Sequence, residues 1–209
     1  MLHQSRISPN MSPSSLPPRL ILASRSPRRR QLLEENGYDF EIDPASDTAE
    51  CGVCTGETPP ELVARLAYQK AADVFDRRRA AAQIAAGDIV IGCDTVAECQ
   101  GRALGKPDDR EHAAEMLNLL RGSKHHVYSG LCLMKIGADP SIRVECTKLV
   151  MEEISNADLE IYLNSYAWEG KAGGFGLQDR LGWIRIVHGS ESNVVGLPLE
   201  LLDKMLREL

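Results

Sequence analysis

The chain is short of aromatic residues, with 3 Phe, 2 Trp and 5 Tyr among 209. Its core must therefore be built mainly from aliphatic side chains, while 17 Gly and 11 Pro imply many turns and exclude a coiled coil. A cationic surplus is missing too: 24 Lys and Arg stand against 30 Asp and Glu, for a formal charge of -6. Non-specific affinity for nucleic acid comes from neutralising many phosphates, so no nucleic-acid partner is expected. No stretch approaches the ~20 apolar residues of a bilayer span, and residues 1–18 hold five Ser and four Pro where a signal peptide would carry an apolar run. The expectation is a cytoplasmic protein with no membrane partner. At 43% hydrophobic and 26% charged, the composition suits one globular domain. It is expected over 19–209, behind a disordered Ser/Pro-rich tail at 1–18.

Six cysteines without a secretion signal are expected as reduced thiols rather than a disulfide framework. Cys51 and Cys54 have the spacing of half a zinc site or a redox pair, but no second Cys-x-x-Cys exists and the histidines are distant. Two loop thiols are the favoured reading; a zinc-dependent module is the alternative, decided by metal analysis.

Strands alternate with helices along the chain, which is the pattern of an α/β protein. Leu20–Ala23 is a short apolar run ending at Ser24, and Pro27 follows Ser26 as a first helical residue follows its cap. Strand one thus turns directly into helix one, which stops at Asn36-Gly37. A polar loop, 43–57, precedes Thr58 and Glu61, whose capping-box spacing opens a helix with Leu62, Val63, Leu66, Ala67, Ala71 and Val74 on one half. At about 100° per residue, Lys70 falls in the middle of that half. It either snorkels to an edge or meets an anion in a cleft.

The run Asp88–Cys93 predicts a strand ending at Asp94-Thr95. Ligands in open α/β sheets collect at the carboxyl ends of strands, although an aspartate there also serves as a turn former. After a Gly-containing turn at 101–106, a helix is expected over 109–121 with Ala113, Met116, Leu117 and Leu120 inward. Two long strands, 126–136 and 142–151, join through Gly137-Ala138-Asp139-Pro140. Ser155 and Asp158 cap a helix reaching Tyr166, a glycine-rich loop occupies 168–179, a last strand spans 182–188, and Pro198 opens the terminal helix.

Familiar nucleotide motifs fail on spacing. Gly101–Pro107 is one residue short of a P-loop and has Pro107 where the magnesium-binding hydroxyl belongs, and Gly173, Gly174 and Gly176 do not form G-x-G-x-x-G. A constellation remains. Ser24, Ser26, Arg28 and Arg29 sit at a strand-to-helix junction, where free N–H groups and the helix dipole favour an anion and arginine forks match phosphate oxygens. With Lys70, Lys106 and Lys171, and Asp94 as the lone strand-end acid, the pattern suits a triphosphate. Phosphoryl transfer is lowered mainly by positioning and by charge placed where the leaving group develops its own.

The blocks Leu22–Arg29, Lys70-Ala71, Cys93–Val96, Gly105–Pro107, His126–Gly130, Gly170–Gly173, Gly176–Gln178 and Ser192–Pro198, in this order, resemble the Maf family of nucleoside triphosphate pyrophosphatases over residues 19–209. The resemblance implies a two-lobed, elongated α/β fold around a mixed central sheet, similar to the inosine triphosphate pyrophosphatases. It implies hydrolysis of a nucleoside triphosphate to monophosphate and pyrophosphate, with a divalent cation (Mg, Mn or Co) and Asp94 as proton acceptor. Ser24, Ser26, Arg28, Arg29, Lys70, Thr95, Lys106, Lys171 and Gln178 are the implied substrate-binding positions, with Arg28, Thr95 and Gln178 distinguishing bases. The Ser-Pro-Arg-Arg form resembles the dTTP/UTP branch. Many members carry an Asp-Glu pair in the loop that here reads Ser46–Glu50, so the acid that joins Asp94 at the metal is Glu50 or Asp47. A homodimer is implied as well. A nucleotide-binding regulator of septum formation or cell shape, with little turnover, shares the same cleft residues and is the alternative.

Overall fold

The computed structural model describes residues 19–49 and 56–209, with Gln178 represented by its backbone alone. Residues 1–18, Glu50, Cys51 and Cys54 lie outside the described residues, and so do the tail, metal and zinc readings that fall on them.

Seven strands form one mixed sheet: β1 (Leu20–Leu22), β2 (Phe40–Ile42), β3 (Ile89–Cys99), β4 (Arg102–Leu104), β5 (Lys124–Met134), β6 (Ser141–Met151) and β7 (Ile184–His188). Their order is β2-β1-β3-β5-β6-β7, with β4 on the edge of β3. β1 runs parallel to β2 and β3, and every other pair is antiparallel. The helices are α1 (Pro27–Glu35), α2 (Pro59–Ala80), α3 (Arg110–Leu120), α4 (Asn156–Asn164), α5 (Glu191–Val195) and α6 (Leu199–Arg207). This is the expected mixed α/β architecture. Among the described residues, no helix is long and apolar enough to cross a membrane.

The apolar spacing of each helix decides which face it buries. One core joins Leu33 of α1, Leu202 and Met205 of α6 and Ile91, Leu131 and Leu133 of the sheet. On the opposite face, Ala67, Ala71 and Val74 of α2 cover Ile21, Val90 and Cys132. A separate core packs Leu117 and Leu120 of α3 and Leu163 of α4 on Leu149, Met151 and Trp168. The long strands β3, β5 and β6 pass from the first pair of cores into the third, so the molecule has two lobes sharing one sheet. The described cysteines, Cys93, Cys99, Cys132 and Cys146, are free thiols.

Two glycines set the depth at which α2 lies. A Cβ on Gly92 would come 2.1 Å from the Ala67 carbonyl oxygen, and one on Gly130 would come 2.1 Å from that of Val63. Only glycine lets the helix backbone rest directly on β3 and β5 there.

The strand expected to stop at Asp94-Thr95 continues to Cys99. It persists because β5 pairs along its whole second half, from Asp94 opposite Gly130 to Glu98 opposite His126. Three short elements, β2, β4 and α5, were not expected, and α4 ends at Asn164 rather than Tyr166. The glycine-rich loop holds two single turns, Ala172–Gly174 and Leu177–Asp179.

Candidate active site

β1 pairs with β3 only as far as Leu22 opposite Ile91, and β4 joins the same edge of β3 only from Ala97 onward. Between these points, among the described residues, no strand covers that edge of residues 92–96. A cleft of about 800 Å3 opens at the gap. Asp94 thus sits where β1 has ended although its own strand has not, which is how a mid-strand acid comes to face a ligand site.

Side chains alternate across a strand, so Asp94 faces α2 and Thr95 faces α1 and α5. On the α2 side, Lys70 Nζ donates to Asp94 Oδ1 at 2.5 Å. Lys70 is buried, so it does not snorkel, and the anion it meets is Asp94. On the other side Arg29 is buried in a fan of acceptors: Nε donates to Gly196 O at 2.8 Å, Nη1 to Ser24 Oγ at 3.1 Å and Nη2 to Thr95 Oγ1 at 3.2 Å. Thr95 Oγ1 also lies 2.8 Å from Ser129 Oγ and 3.2 Å from Gly196 O. The hydroxyl expected to meet a base is therefore shared among protein partners.

Ser26 caps α1, its Oγ accepting from Arg29 N at 3.5 Å, and Ser24 Oγ accepts from Ser26 N at 3.2 Å. The two serines thus build the bend that carries Arg28 into the cleft, where its Nη2 donates to Gly170 O at 2.5 Å. Burial, then the neighbouring charge of Arg29, lowers the Arg28 pKa. Arg30, the third of the triplet, turns outward to Glu34.

The second lobe supplies the opposite wall. Gly173 N donates to Gly105 O at 2.9 Å, which ties the Ala172–Gly174 turn to the strand end preceding Lys106. Lys171 is held by Asp179, whose other oxygen accepts from the Tyr162 hydroxyl at 2.8 Å. Burial and this bond to Asp179 raise the Tyr162 pKa. Lys106 is exposed and makes no ion pair among the described residues. Asp47 lines the cleft with Arg25, 2.5 Å away.

All the described candidates, Ser24, Ser26, Arg28, Arg29, Lys70, Asp94, Thr95, Lys106 and Lys171, line this one cleft. The side chain of Gln178 lies outside the described residues. Six cations there, Arg25, Arg28, Arg29, Lys70, Lys106 and Lys171, stand against the lining carboxylates of Asp47, Asp94 and Glu169 and that of Asp179 behind Lys171. In a chain with a formal charge of -6, that local excess of positive charge is of the sign that favours an anionic ligand. Sequence reasoning missed Ser129, Gly196 and Asp179, which act through Thr95, Arg29 and Lys171. It also missed His125, buried in the cleft wall. A period-two pattern on β5 was the one available signal, since residues 125, 127 and 129 share the face of Thr95.

The fold and this cleft define a mixed α/β protein with a cationic pocket between two lobes. The chain belongs to the Maf family, whose model, described as "Maf-like protein", matches residues 19–209. It is 50% identical over 197 residues to a dTTP/UTP pyrophosphatase of Rhodopirellula baltica, covering 93% of this chain and 84% of that one. A dTTP/UTP pyrophosphatase of Salinibacter ruber is 38% identical over 193 residues, covering 90% of this chain and 89% of its own length. Among solved structures, a HAM1 protein from Coxiella burnetii aligns over 92% of this chain and 100% of its own, at 15% identity and a TM-score of 0.48.

Proposed function

We infer that this chain hydrolyses nucleoside triphosphates to the monophosphate and pyrophosphate, with dTTP and UTP as substrates, the activity for which its relatives are named. The observation that carries the reading is the Lys70–Asp94 pair inside a cleft with cations on both lobes. A triphosphate needs cations along its length and one acid near the phosphorus that reacts, and this cleft offers both.

Water attacks the α-phosphorus, forming a P–O bond as the bond to the bridging oxygen of pyrophosphate breaks. Asp94 accepts the proton the water loses. Lys70 holds the Asp94 carboxylate in place and adds positive charge beside the reacting phosphoryl group. Lys106 and Lys171 meet the charge that gathers on the departing pyrophosphate. Arg29, engaged by Gly196, Ser24 and Thr95, shapes the wall and contributes its field. Arg28 and Gln178 are the positions that the family resemblance leaves for base choice, the Thr95 hydroxyl being shared among Arg29, Ser129 and Gly196.

A divalent cation fits this site in one form. Among the described residues no three His, Cys, Asp or Glu side chains converge, so Asp94 would be the chain's own carboxylate ligand, with the triphosphate and water completing the shell. That division of ligands is usual for magnesium. Asp47 lines the same cleft, and Glu50 lies outside the described residues. When bound, the ion supplies positive charge at the phosphoryl oxygens.

The test is pyrophosphate release by the purified full chain across a panel of nucleoside triphosphates. The expected result is pyrophosphate from dTTP and UTP ahead of purine nucleotides. Orthophosphate as the sole product, or no product from any member of the panel, would overturn the reading.

A further inference from the structure

Lys171 lines the cleft on the side of the second lobe, and its Nζ donates to Asp179 Oδ1. An ammonium carries three donors, so this bond leaves two for a ligand. The lysine stem is flexible and rich in rotamers. Asp179 selects among them.

Asp179 is in turn fixed from behind. Its Oδ2 accepts from the Tyr162 hydroxyl at 2.8 Å and from Gly176 N at 3.2 Å. The Tyr162 hydroxyl has a second acceptor in reach, Gly174 O at 3.2 Å, but the carboxylate takes the shorter, charge-assisted bond. Tyr162 on α4 is buried, and its ring meets those of Phe175 and Trp183, each with centroids 5.4 Å apart. Lys171 Nζ lies 6.0 Å from the centroid of the same Tyr162 ring. A line of contacts therefore runs from the aromatic core of the second lobe, through Asp179, to the ammonium at the cleft.

The segment between Lys171 and Asp179 gives that line a purpose. It holds Gly173 and Gly174 at φ +70° and +73°, and glycine gives up more conformational freedom on ordering than any other residue. The ion pair ties the two ends of this segment together.

Resting on the pyrophosphatase reading above, we propose that Asp179 and Tyr162 are positioning residues for the pyrophosphate half of the substrate, acting through Lys171. Asp179 aims the ammonium, and Tyr162 holds the carboxylate that does the aiming. A charge set in place beforehand needs no rearrangement when the leaving group develops its own.

The test is calorimetric titration of the full chain with inorganic pyrophosphate and, separately, with UMP, which lacks the two phosphates that Lys171 is placed to meet. Tyr162→Phe deletes one hydroxyl and keeps the ring among Phe175 and Trp183. It is expected to weaken pyrophosphate binding roughly 3- to 10-fold, the span of one hydrogen bond, and to leave UMP affinity unchanged. Lys171→Met should weaken pyrophosphate at least as much. Adding Tyr162→Phe to it should change nothing more, because the hydroxyl then has no ammonium to act through. If Tyr162→Phe does not fold, Asp179→Asn takes its place, with the same selective loss expected. Unchanged pyrophosphate affinity in the single variant would overturn the proposal. An equal loss for both ligands, or a loss that persists in the Lys171→Met background, would overturn it as well, since a merely structural hydroxyl behaves that way. The expected pattern in a wild type that releases no pyrophosphate from any triphosphate would sustain the positioning role and refute the enzymatic reading instead.

Discussion

Lys70 Nζ lies 2.5 Å from Asp94 Oδ1, with the two side chains only 8% and 15% exposed. One comes from the buried stripe of a helix and the other from the middle of a strand, and each neutralises the other at the wall of the cleft. Removing one partner of a buried pair strands a charge, which costs about 3–5 kcal/mol. Lys70→Met should therefore destabilise the protein by roughly that amount, although methionine suits a helix. The double variant Lys70→Met/Asp94→Asn should lose less than the two single changes added together, by about 0.5–3 kcal/mol. Urea unfolding of all four proteins reads this coupling, and strict additivity would show that the pair is not energetically linked.

Asp94→Asn alone is a milder structural change, since the amide oxygen still accepts from Lys70. It should leave nucleotide binding in place and lower kcat roughly 10²–10⁴-fold, the usual contribution of a positioned acid or base. Steady-state pyrophosphate release with dTTP, alongside circular dichroism, checks it. A kcat near that of the wild type would remove Asp94 from the mechanism.

Gly130 stands opposite Asp94 in the β3–β5 register, and a Cβ on it would meet the Val63 carbonyl at 2.1 Å. Gly130→Ala must push α2 away from the sheet, and backbone on backbone leaves no side chain to yield. Overpacking of this kind costs about 1–3 kcal/mol or more. Because Lys70 rides on the same helix, activity at a temperature where the variant is still folded should fall as well. Unchanged kcat in a destabilised variant would mean that the helix shift leaves the Lys70–Asp94 contact intact.

These predictions mark where the sequence was legible. Capping and apolar spacing located both ends of α1 and the start of α2, because Ser26-Pro27 and Thr58-Pro59 act within one helical turn, and the same spacing put Lys70 inward. The partner of Lys70 was not readable, since it depends on α2 lying close above Gly92 and Gly130. Nor was the continuation of β3 past Asp94, whose cause is a non-local pairing with β5. Arg29 could be counted as a cation from its place in the triplet. Its fan of acceptors could not, because Gly196 and Thr95 reach it from elements far along the chain.

Arg29→Lys should expose that difference. An ammonium keeps the charge but lacks the planar fork that spans Gly196 O, Ser24 Oγ and Thr95 Oγ1. Losing these bonds should destabilise the protein by about 1–3 kcal/mol and raise KM for UTP as the Ser24–Ser26 bend loosens. Thermal unfolding and steady-state kinetics measure the two effects. A lower Tm with KM unchanged would confine Arg29 to holding the lobe together.

His125 makes stability depend on pH in a direction that can be worked out. Burial lowers its folded pKa to about 4, whereas an unperturbed histidine titrates near 6.5. Above about pH 6.5 the ring is neutral in both folded and unfolded chains and contributes no pH dependence. As pH falls from there toward 4, the unfolded chain takes up a proton that the folded one refuses, so stability drops. The slope approaches 1.4 kcal/mol per pH unit, for a total on the order of 3 kcal/mol, and it flattens once the folded ring also protonates. His125→Leu has no such proton to take up. Its denaturation free energy should therefore fall less than that of the wild type between pH 6.5 and 4, by about that total, while the two proteins run parallel above pH 7. Urea titrations at half-unit steps of pH make the comparison, and curves that stay parallel through the acid range would mean that His125 protonates equally in the folded and unfolded chain.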